Sequence, residues 1–450
     1  MFRQHVSRRR FLGRTVGMFG AAGWAASAFA GPPPQVVNPR ATDGDDRHEP
    51  DWKQRLTITV GRKDADLVGD DDKVLQAAVD YMARLGGGSV RVLPGTYRLR
   101  NAVWLPSGIR LTGCGVETVI TKHPSRTVAL ADDSDWYDQE ITLEDAAGFE
   151  VGDGVVLRAK NPHHGGQEVI KRTLVARNGR RFKLNDGLRK NLWLTGKPTC
   201  ASLFPLLTSE RTADVVIENL TLDGNRANNE RLDGNHAGCI FLQDCNRITI
   251  RDVTTRNYNG DGISFQICHD VVVENCHSHD NADLGVHPGS GAQRPIVRGN
   301  RLERNGIGIF WCWGVKFGLA EGNRIEQNRR FGISIGHADT DNVMRNNEIV
   351  GSGEVGVLFR DDSRGRDFWP NRNRLENNRI VDSGGETGIG IDVQGKTRDL
   401  HIGSNTIRES RGPAQRIGIR IGKEVGSVVL ADNRVEGFSQ AVVDQRTNSV

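Results

Sequence analysis

The segment GISIGH at residues 332–337 is one copy of a phrase that the downstream chain repeats many times. Each copy opens with a glycine and continues with apolar residues that alternate with small or polar ones. The copies begin at Gly238, Gly262, Gly285, Gly308, Gly332, Gly356, Gly390 and Gly418. Successive anchor glycines are 23 to 34 residues apart, which is the period of a repeat architecture rather than of separate globular domains.

A second repeat, of asparagines, runs in step with the glycines. Asparagine tolerates left-handed turns, and stacked side-chain amides can bond to the copies above and below. The predicted ladder comprises Asn275, Asn300, Asn323, Asn347, Asn378, Asn405 and Asn433. Short alternating strands between such turns indicate parallel pairing between coils spaced about 4.8 Å apart. The sequence therefore predicts an all-β protein, a single-stranded right-handed parallel β-helix.

The N-terminal part predicts a cap and a small β insertion. Residues 70–82 read as an amphipathic helix with an acidic N-cap, and a terminal helix of this kind can cover the open end of a solenoid. Glycines 86–88 then stop the helix before the first strand and turn. The predicted organisation is a linker at 31–55, a cap with the first coils at 56–133, a β insertion at 134–200 and parallel β-helix repeats at 201–440.

The helix, the glycine-rich first coil and the repeats together resemble the pectate-lyase-like superfamily, which includes polygalacturonases and phage tailspikes. The resemblance covers most of residues 56–440 and implies a solenoid that acts on a polysaccharide. The segment Asn259–Gly262 resembles the first acidic motif of polygalacturonases, but their double Asp is missing at the corresponding depth of the chain, and their Gly-His-Gly and Arg-Ile-Lys motifs are not reproduced. The run DLGVHP at 283–288, with the histidine- and arginine-bearing coils after it, also resembles bacterial alginate lyases and mannuronan epimerases.

The first thirty residues predict an export signal. SRRRFLG at 7–13 is a twin-arginine signature, and a short Gly/Ala-rich run leads to a small-x-small cleavage site at Ala28-Phe29-Ala30. The apolar run is too short and glycine-rich to favour a membrane span. We expect a product that begins near Gly31 and works in the periplasm or outside the cell.

Removing this segment changes the charge balance of the protein. The whole chain has 60 basic and 56 acidic residues, and the mature chain has 55 and 56, because the signal holds five arginines and no acids. A mature charge of −1 gives little support to a nucleic-acid partner. The expected partner is a polysaccharide substrate, and the expected state is a monomer.

Cysteine spacing argues against a dedicated metal site. Seven cysteines are an odd number for an exported protein, and most fall inside the repeats, where thiols can fill the core. The chain has no Cys-x-x-Cys motif and no histidine or cysteine cluster with zinc spacing. No metal or other cofactor is predicted, and nothing in the sequence indicates calcium.

The outward positions of the repeat carry the candidate functional residues. Alternate residues of a strand share a face, so the apolar positions one and three after each anchor glycine should point to the core and the next ones outward. The catalytic candidates are His287, His337, Arg360 and Asp361, and the substrate-binding candidates are Trp313, Phe310, Gln266, Asp261, His236 and Asp362. His287 and Asp361 lie three coils apart, so most of these residues should share an outer strip about 15 Å long.

These residue types suit proton abstraction from a uronic acid. Removal of the C5 proton requires a base and a cation that neutralises the sugar carboxylate. Either His287 or His337 fits the first role and Arg360 fits the second. The sequence thus favours a uronate-directed lyase or epimerase.

Two other functional classes remain open, and several candidates also fit ordinary turns. A glycoside hydrolase could pair Asp361 with Asp261 or Asp392, and a non-catalytic protein could bind glycans on the same face. Asp361 and Asp362 suit an Asx-turn, His337 could bond within its own turn, and His287 could lie in a bulge. Turn chemistry explains Asp233 and His236, in the long loop at 223–236, equally well.

Overall fold

The computed structural model of the chain describes residues 49–412 and 414–446. The predicted export signal, and most of the predicted linker, lie outside these residues. Within them the chain winds into a parallel β-helix, as the repeats predict, because strands one coil apart pair in parallel throughout. No helix of the described part is long and apolar enough to cross a membrane.

One face of the β-helix is a parallel sheet of eleven strands in the described residues. Eight of its strands carry the repeated glycine phrase, one copy per coil. Its strands are Val103–Trp104, Leu207–Glu210, Gly238–Gln243, Asp261–Gln266, Leu284–Gly289, Ile307–Phe310, Phe331–Ile335, Val355–Phe359, Ile389–Val393, Ile417–Ile421 and Gln440–Asp444. We call it the eleven-stranded sheet.

The other faces form a sheet of twenty-two described strands, in which two parallel ladders join through the long strands Ile109–Lys122 and Ala213–Asp223. Before the second long strand lie Thr57–Gly61, Leu67–Val68, Gly88–Val92 and Gly95–Leu99. After it, the first ladder continues through Asn246–Arg251, His269–Glu274, Ile296–Arg298, Leu319–Glu321, Val343–Arg345, Arg374–Glu376, Leu400–Gly403 and Val428–Ala431. The second continues through Thr254–Arg256, His277–His279, Arg301–Glu303, Arg324–Glu326, Glu348–Val350, Arg379–Val381, Thr406–Arg408 and Arg434–Glu436.

The core of the solenoid is built from the apolar positions that the repeat predicts. Ile263, Val286, Ile309, Ile333 and Val357 follow one another along the eleven-stranded sheet and are all fully buried. Their stacking removes apolar surface from water at about 25 cal/mol per Å². Because this row points inward, the residues on either side of it point outward, and the outward side holds the candidate site.

The asparagine ladder exists but begins one coil later than predicted. From Asn300 to Asn433, each side-chain Nδ2 donates to Oδ1 of the next ladder asparagine at 2.8 to 3.0 Å. The prediction for Asn275 is wrong, because Cys276 occupies the ladder position and its amide donates to Asn300 Oδ1. Asn275 instead takes the left-handed turn before it, with φ of 53°.

The predicted cap is the α-helix Asp72–Arg84. The side chain of Asp71 accepts hydrogen bonds from the amides of Lys73 and Val74, which satisfies two donors of the first turn. Its buried face includes Leu75, Val79 and Met82, which join the core at the end of the solenoid. Short 3₁₀ turns lie at Trp52–Gln54, Leu194–Gly196 and Arg226–Asn228.

The β insertion forms its own sheet of six described strands and its own core around Phe149, Leu157 and Phe182. It starts earlier than the predicted 134–200, because its first strand lies in the segment assigned to the first coils. The strands, paired antiparallel, are Thr127–Ala129, Glu140–Thr142, Gly154–Lys160, Gln167–Asn178, Arg181–Leu184 and Thr199–Ala201.

Candidate functional site

The register of the eleven-stranded sheet places one outward residue per coil in a single row. Going from the N-terminal coils to the C-terminal ones, this row reads Phe241, Ser264, His287, Phe310, Ser334, Leu358, Asp392 and Arg420. Neighbouring members are one strand spacing, about 4.8 Å, apart along the backbone. The row therefore brings His287 beside Ser264 on one side and Phe310 on the other.

His287 forms a buried pair with Asp261. Its Nδ1 lies 2.8 Å from Asp261 Oδ2, while Asp261 Oδ1 accepts the amide of Leu284 at 3.1 Å. Burial raises the pKa of Asp261, and the hydrogen bond from His287 opposes that rise. His287 Nε2 has no hydrogen-bond partner among the described residues. Pairing at Nδ1 leaves Nε2 as the atom that can exchange a proton with a ligand.

A loop from the coil before covers this pair. Ser264 Oγ donates to the Gly234 carbonyl at 2.5 Å and lies 3.4 Å from His287 Nδ1. A β-carbon at Gly234 would lie 1.6 Å from Asp261 Oδ2, so glycine is required for the loop to close this tightly. His287 is only 3 % exposed. Because Nε2 is also buried, a ligand reaches it only when the residues that cover it move.

Gln266 completes the cover over Ser264. Its Nε2 donates to Ser264 Oγ at 3.0 Å, whereas its buried Oε1 has no partner in the described part of the chain. Gln266 and Asp261, both predicted to bind substrate, therefore differ in what they can offer a ligand. Gln266 offers an unused acceptor, but Asp261 is fully buried and contacts His287 rather than the outer surface.

Arg360 reaches back across two coils to the same strip. Its guanidinium lies 4.3 Å from the centre of the Phe310 ring, and the other neighbour of that ring is His287, with centroids 5.4 Å apart. Nη1 donates to Ser334 Oγ at 2.8 Å and Nη2 to the Trp311 carbonyl at 2.9 Å. Phe310 thus separates the histidine from the arginine on one face.

Arg360 is held in this position by the absence of a side chain at Gly336 and by the buried carboxyl of Asp339. A β-carbon at Gly336 would lie 2.3 Å from Arg360 Nη2, so only glycine lets the guanidinium lie flat there. Asp339 lies 3.8 Å from Arg360, and burial raises the pKa of its carboxyl to about 6 although Arg360 and backbone amides oppose the rise. Burial also lowers the pKa of Arg360, with Asp339 opposing. Arginine nevertheless stays charged.

His337 occupies a different environment from His287. It lies in the turn after its strand, and its Nδ1 accepts the amide of Arg364 at 3.0 Å. Its ring packs 4.9 Å from Trp313 and 5.3 Å from Phe368, between centroids. Trp313 and Phe368 are themselves 43 % and 47 % exposed. His337 is therefore part of an aromatic surface rather than of an acid–base pair.

The remaining candidate carboxylates do not converge. Asp361 is exposed, whereas Asp362 lies 3.5 Å from Arg364 and 4.0 Å from Arg360. Asp392 is buried and receives two hydrogen bonds from the Arg420 guanidinium, at 2.8 and 2.5 Å. These engagements leave no pair of free carboxylates facing one another within the described strip.

A cleft of about 570 Å³ adjoins the strip at its N-terminal end, between the insertion and the first coils. Its walls include His236, Gln243, Trp104 and Lys171. Burial lowers the pKa of His236, while nearby Asp233 opposes this. Asp233 itself caps the turn, accepting the Asn235 amide at 3.0 Å. The predicted residue His236 thus faces the cleft, not the His287 pair.

Sequence reasoning missed two residues of this surface. Lys171 places its ammonium 3.9 Å from the Phe241 ring, in the row that leads to His287, and forms no salt bridge within the described residues. Burial lowers the pKa of Lys171 to about 8. Ser334 holds Arg360, and its small outward side chain in a repeat was the available signal. No sequence signal pointed to Lys171, because it belongs to the insertion.

The comparisons with known proteins agree with this fold. A family model described as a right handed beta helix region matches residues 209–372. No curated protein matches the chain in sequence.

Several solved structures share the fold at low sequence identity. The A-module of the Azotobacter vinelandii mannuronan C-5 epimerase AlgE4 is 18% identical, with a TM-score of 0.52 over 86% of this chain and all of that one. PfbA, a surface adhesin of Streptococcus pneumoniae, is 14% identical, with a TM-score of 0.52 over 85% of this chain and 93% of its own. An enzyme and an adhesin match equally well, so the likeness establishes the fold and leaves the activity open. As the repeats predicted, the chain is a right-handed parallel β-helix protein.

Proposed function

We propose that this protein is a polysaccharide-acting enzyme that abstracts the C5 proton of a uronic acid residue, as a lyase or an epimerase. The observation that carries the proposal is the Asp261–His287 pair, whose Nδ1 is held at 2.8 Å while Nε2 has no partner in the described chain. A histidine held in this way is suited to act as a general base near neutral pH. His287 is the proposed base, and Asp261 positions it.

The other groups of the strip supply the remaining needs of the reaction. The C5–H bond breaks, its proton passes to His287 Nε2, and the electron pair delocalises into the sugar carboxylate. Arg360, with two of its five donors engaged, has positive charge and free donors to stabilise that negative charge. In elimination the pair then forms the C4–C5 double bond as the C4–O bond breaks, and the leaving oxygen takes a proton from the His287 imidazolium or from water. In epimerisation water delivers a proton to C5 from the opposite face, and His287 releases the proton it took to solvent.

Contacts at both ends of the strip suit a sugar chain laid along the coils. The exposed rings of Trp313 and Phe368 offer apolar platforms at one end. Lys171, with no salt bridge within the described residues, offers a cation in the cleft at the other end. The fold is shared with the A-module of a mannuronan C-5 epimerase, so polyuronates are the first substrates to test.

The proposal includes movement of the loop that contains Gly234. With the loop in place, His287 is buried, and the Gly234 carbonyl occupies the space above Ser264. A bound sugar must displace this carbonyl and offer Ser264 Oγ another acceptor. Loops of this kind shift on binding in many enzymes and exclude water when they close again.

A non-catalytic glycan-binding protein is the second candidate. Exposed aromatics around His337 and the covered state of His287 favour it, and the fold is shared with a surface adhesin. A glycoside hydrolase is not favoured, because Asp261 is bound by His287 and Asp392 by Arg420. Two free carboxylates at a defined separation are what that chemistry requires.

One experiment separates these classes. The mature protein is incubated in D₂O with a panel of polyuronates, and three signals are recorded: ultraviolet absorbance of unsaturated uronates, deuterium at C5, and new reducing ends. We expect absorbance for a lyase, or C5 deuterium without cleavage for an epimerase, and His287→Ala should abolish either. Reducing ends without absorbance would contradict the proposal in favour of hydrolysis. Binding without any of the three signals would identify a glycan-binding protein.

We also propose that the protein is exported by the twin-arginine route. The support is the SRRRFLG signature at 7–13 and the cleavage site that follows it. Replacing both Arg8 and Arg9 with lysine should leave the precursor in the cytoplasm, as seen by fractionation and immunoblotting. Unchanged export of that double variant would refute the route without affecting the proposed chemistry.

A further inference from the structure

We propose that His277, His279 and Glu303 form a binding site for a divalent first-row transition metal ion such as Zn²⁺. The three residues lie on the twenty-two-stranded sheet, whereas the proposed catalytic residues line the eleven-stranded one. One ligand atom from each lies within 4.8 Å of the other two. This inference does not rest on the proposed enzymatic function.

The repeat geometry brings the three side chains together. Ser278 is fully buried, so His277 and His279, on either side of it in one strand, both point outward. The next coil pairs Glu303 directly with His279 and Arg301 with His277. The two imidazole rings are 4.2 Å apart between centroids, which places two nitrogen ligands and one carboxylate on a small patch of surface.

The tautomer of His279 is set by a carboxylate outside the three ligands. Its Nδ1 lies 2.6 Å from Asp280 Oδ2. Arg304 donates two hydrogen bonds to this carboxylate, each at 2.8 Å, so Asp280 acts as an acceptor. In the neutral ring of His279 the proton therefore lies on Nδ1, which leaves Nε2 as the nitrogen open to a metal ion. Histidines that bind metal are oriented by carboxylates in this way.

His277 and Glu303 supply the other two ligands. His277 Nε2 lies 2.8 Å from Glu303 Oε1, and a metal ion would take the place of the hydrogen between them while the imidazole proton moves to Nδ1. The neutral imidazole is the form of His277 that binds a metal ion. Tetrahedral zinc with bonds of 2.0–2.1 Å needs ligand atoms about 3.3 Å apart, which requires a modest closing of the rings.

Two arginines compete with a metal ion for the Glu303 carboxylate, and the ligand types set the selectivity among metals. Arg301 and Arg304 lie 2.8 and 3.0 Å from Glu303, so a bound ion must displace the Arg304 contact to Oε1. Imidazole nitrogens favour zinc, copper or nickel, whereas calcium requires a cage of oxygens. The site is therefore expected to bind Zn²⁺ and to ignore Ca²⁺.

Direct titration tests the site. Mature protein freed of metal with a chelator is titrated with Zn²⁺ by calorimetry, and Co²⁺ is added in parallel to report nitrogen coordination by its visible spectrum. We expect one Zn²⁺ per chain, no competition by Ca²⁺, and a loss of affinity of at least about tenfold in each of His277→Ala, His279→Ala and Glu303→Gln.

The chain offers a matched control in His401. Its Nε2 lies 3.5 Å from Glu376 Oε1, which makes a similar histidine–glutamate pair on the same sheet. Among the described residues, His401 does not belong to a group of three potential metal ligands. His401→Ala should bind Zn²⁺ as the unaltered protein does. Absence of binding by the unaltered protein at millimolar Zn²⁺ would overturn the proposal. Equal affinity in a His277→Ala, His279→Ala double variant would overturn it as well.

Discussion

His287 and His337 stand in equivalent coils of one repeat, yet their surroundings differ completely. His287 lies within a strand, where Asp261 holds its Nδ1 and its Nε2 has no partner in the described chain. His337 lies in the turn beyond a strand, where a backbone amide occupies its Nδ1 and aromatic rings enclose it. A repeat thus fixes the position of a residue, but neighbours from other coils decide what its side chain can do.

The largest expected effect separates the two histidines directly. His287→Ala should lower kcat by about 10²–10⁴-fold, the usual contribution of a general base. His337→Ala should leave kcat within a few fold, because its Nδ1 is engaged by the main chain and its ring only packs. Steady-state kinetics on the active substrate, with melting temperatures as a control for folding, provide the comparison. A large kcat loss in His337→Ala alone would reverse the assignment.

Replacement of Arg360 should have the next largest effect on kcat. Arg360→Ala should lower kcat by about 10²–10³-fold, as loss of a donor to a developing negative charge does. Arg360→Lys keeps the charge but not both hydrogen bonds to Ser334 and Trp311, so it should recover part of the activity. A KM effect without a kcat effect would place Arg360 in binding rather than in catalysis.

Asp339 links the arginine to a pH effect on stability. Its pKa is about 6 in the folded chain against an ordinary 3.8, so the folded state holds this proton more firmly. The stabilisation is complete below about pH 4 and is lost as the pH rises through about 6, a change of up to ~3 kcal/mol. Urea unfolding at several pH values should show this loss in the unaltered protein relative to Asp339→Asn. A constant difference between the two proteins would contradict it.

Among the variants expected to lose activity, Asp261→Asn should show the smallest effect on catalysis. A hydrogen bond to a charged group contributes about 1.5–3 kcal/mol. Asp261→Asn should therefore lower kcat by about 10–150-fold and add little to a His287→Ala background. The double-mutant cycle is the measurement, because a purely structural aspartate would reduce stability and lower activity independently of His287.

Much of the fold followed from the sequence because repeats report their own geometry. The alternating phrase at 332–337 and its copies specify which side chains face the core, and Ile263, Ile309 and Ile333 lie there. The ladder asparagines from Asn300 onward could also be predicted, since each coil must satisfy its turn in the same way. Asn275 was misplaced by one residue, because both a left-handed turn and a ladder position favour asparagine.

The site was predicted less completely because its contacts cross between coils. The sequence placed Phe310 and Arg360 on the outer face, but not the reach of Arg360 over Gly336 to the Phe310 ring. It treated Asp261 as a surface residue, whereas the long loop closes over it. Lys171 comes from an insertion with no repeat to give its register.

The HSHD run at 277–280 shows the same limit. Its spacing matches no zinc motif, and its third ligand, Glu303, lies in the next coil.

The solenoid, its period, its core row and its outward row could all be predicted from the sequence, because these depend on alternation along the chain and on the repetition of turns. The contacts between residues of different coils became clear only from the folded chain: Asp261 with His287, Arg360 with Phe310, and His277 with Glu303. The physical reason is that a strand spacing of about 4.8 Å lets side chains from neighbouring coils touch. The pairing of particular atoms then depends on loops, on glycines that lack a β-carbon and on local burial, and these do not follow the repeat.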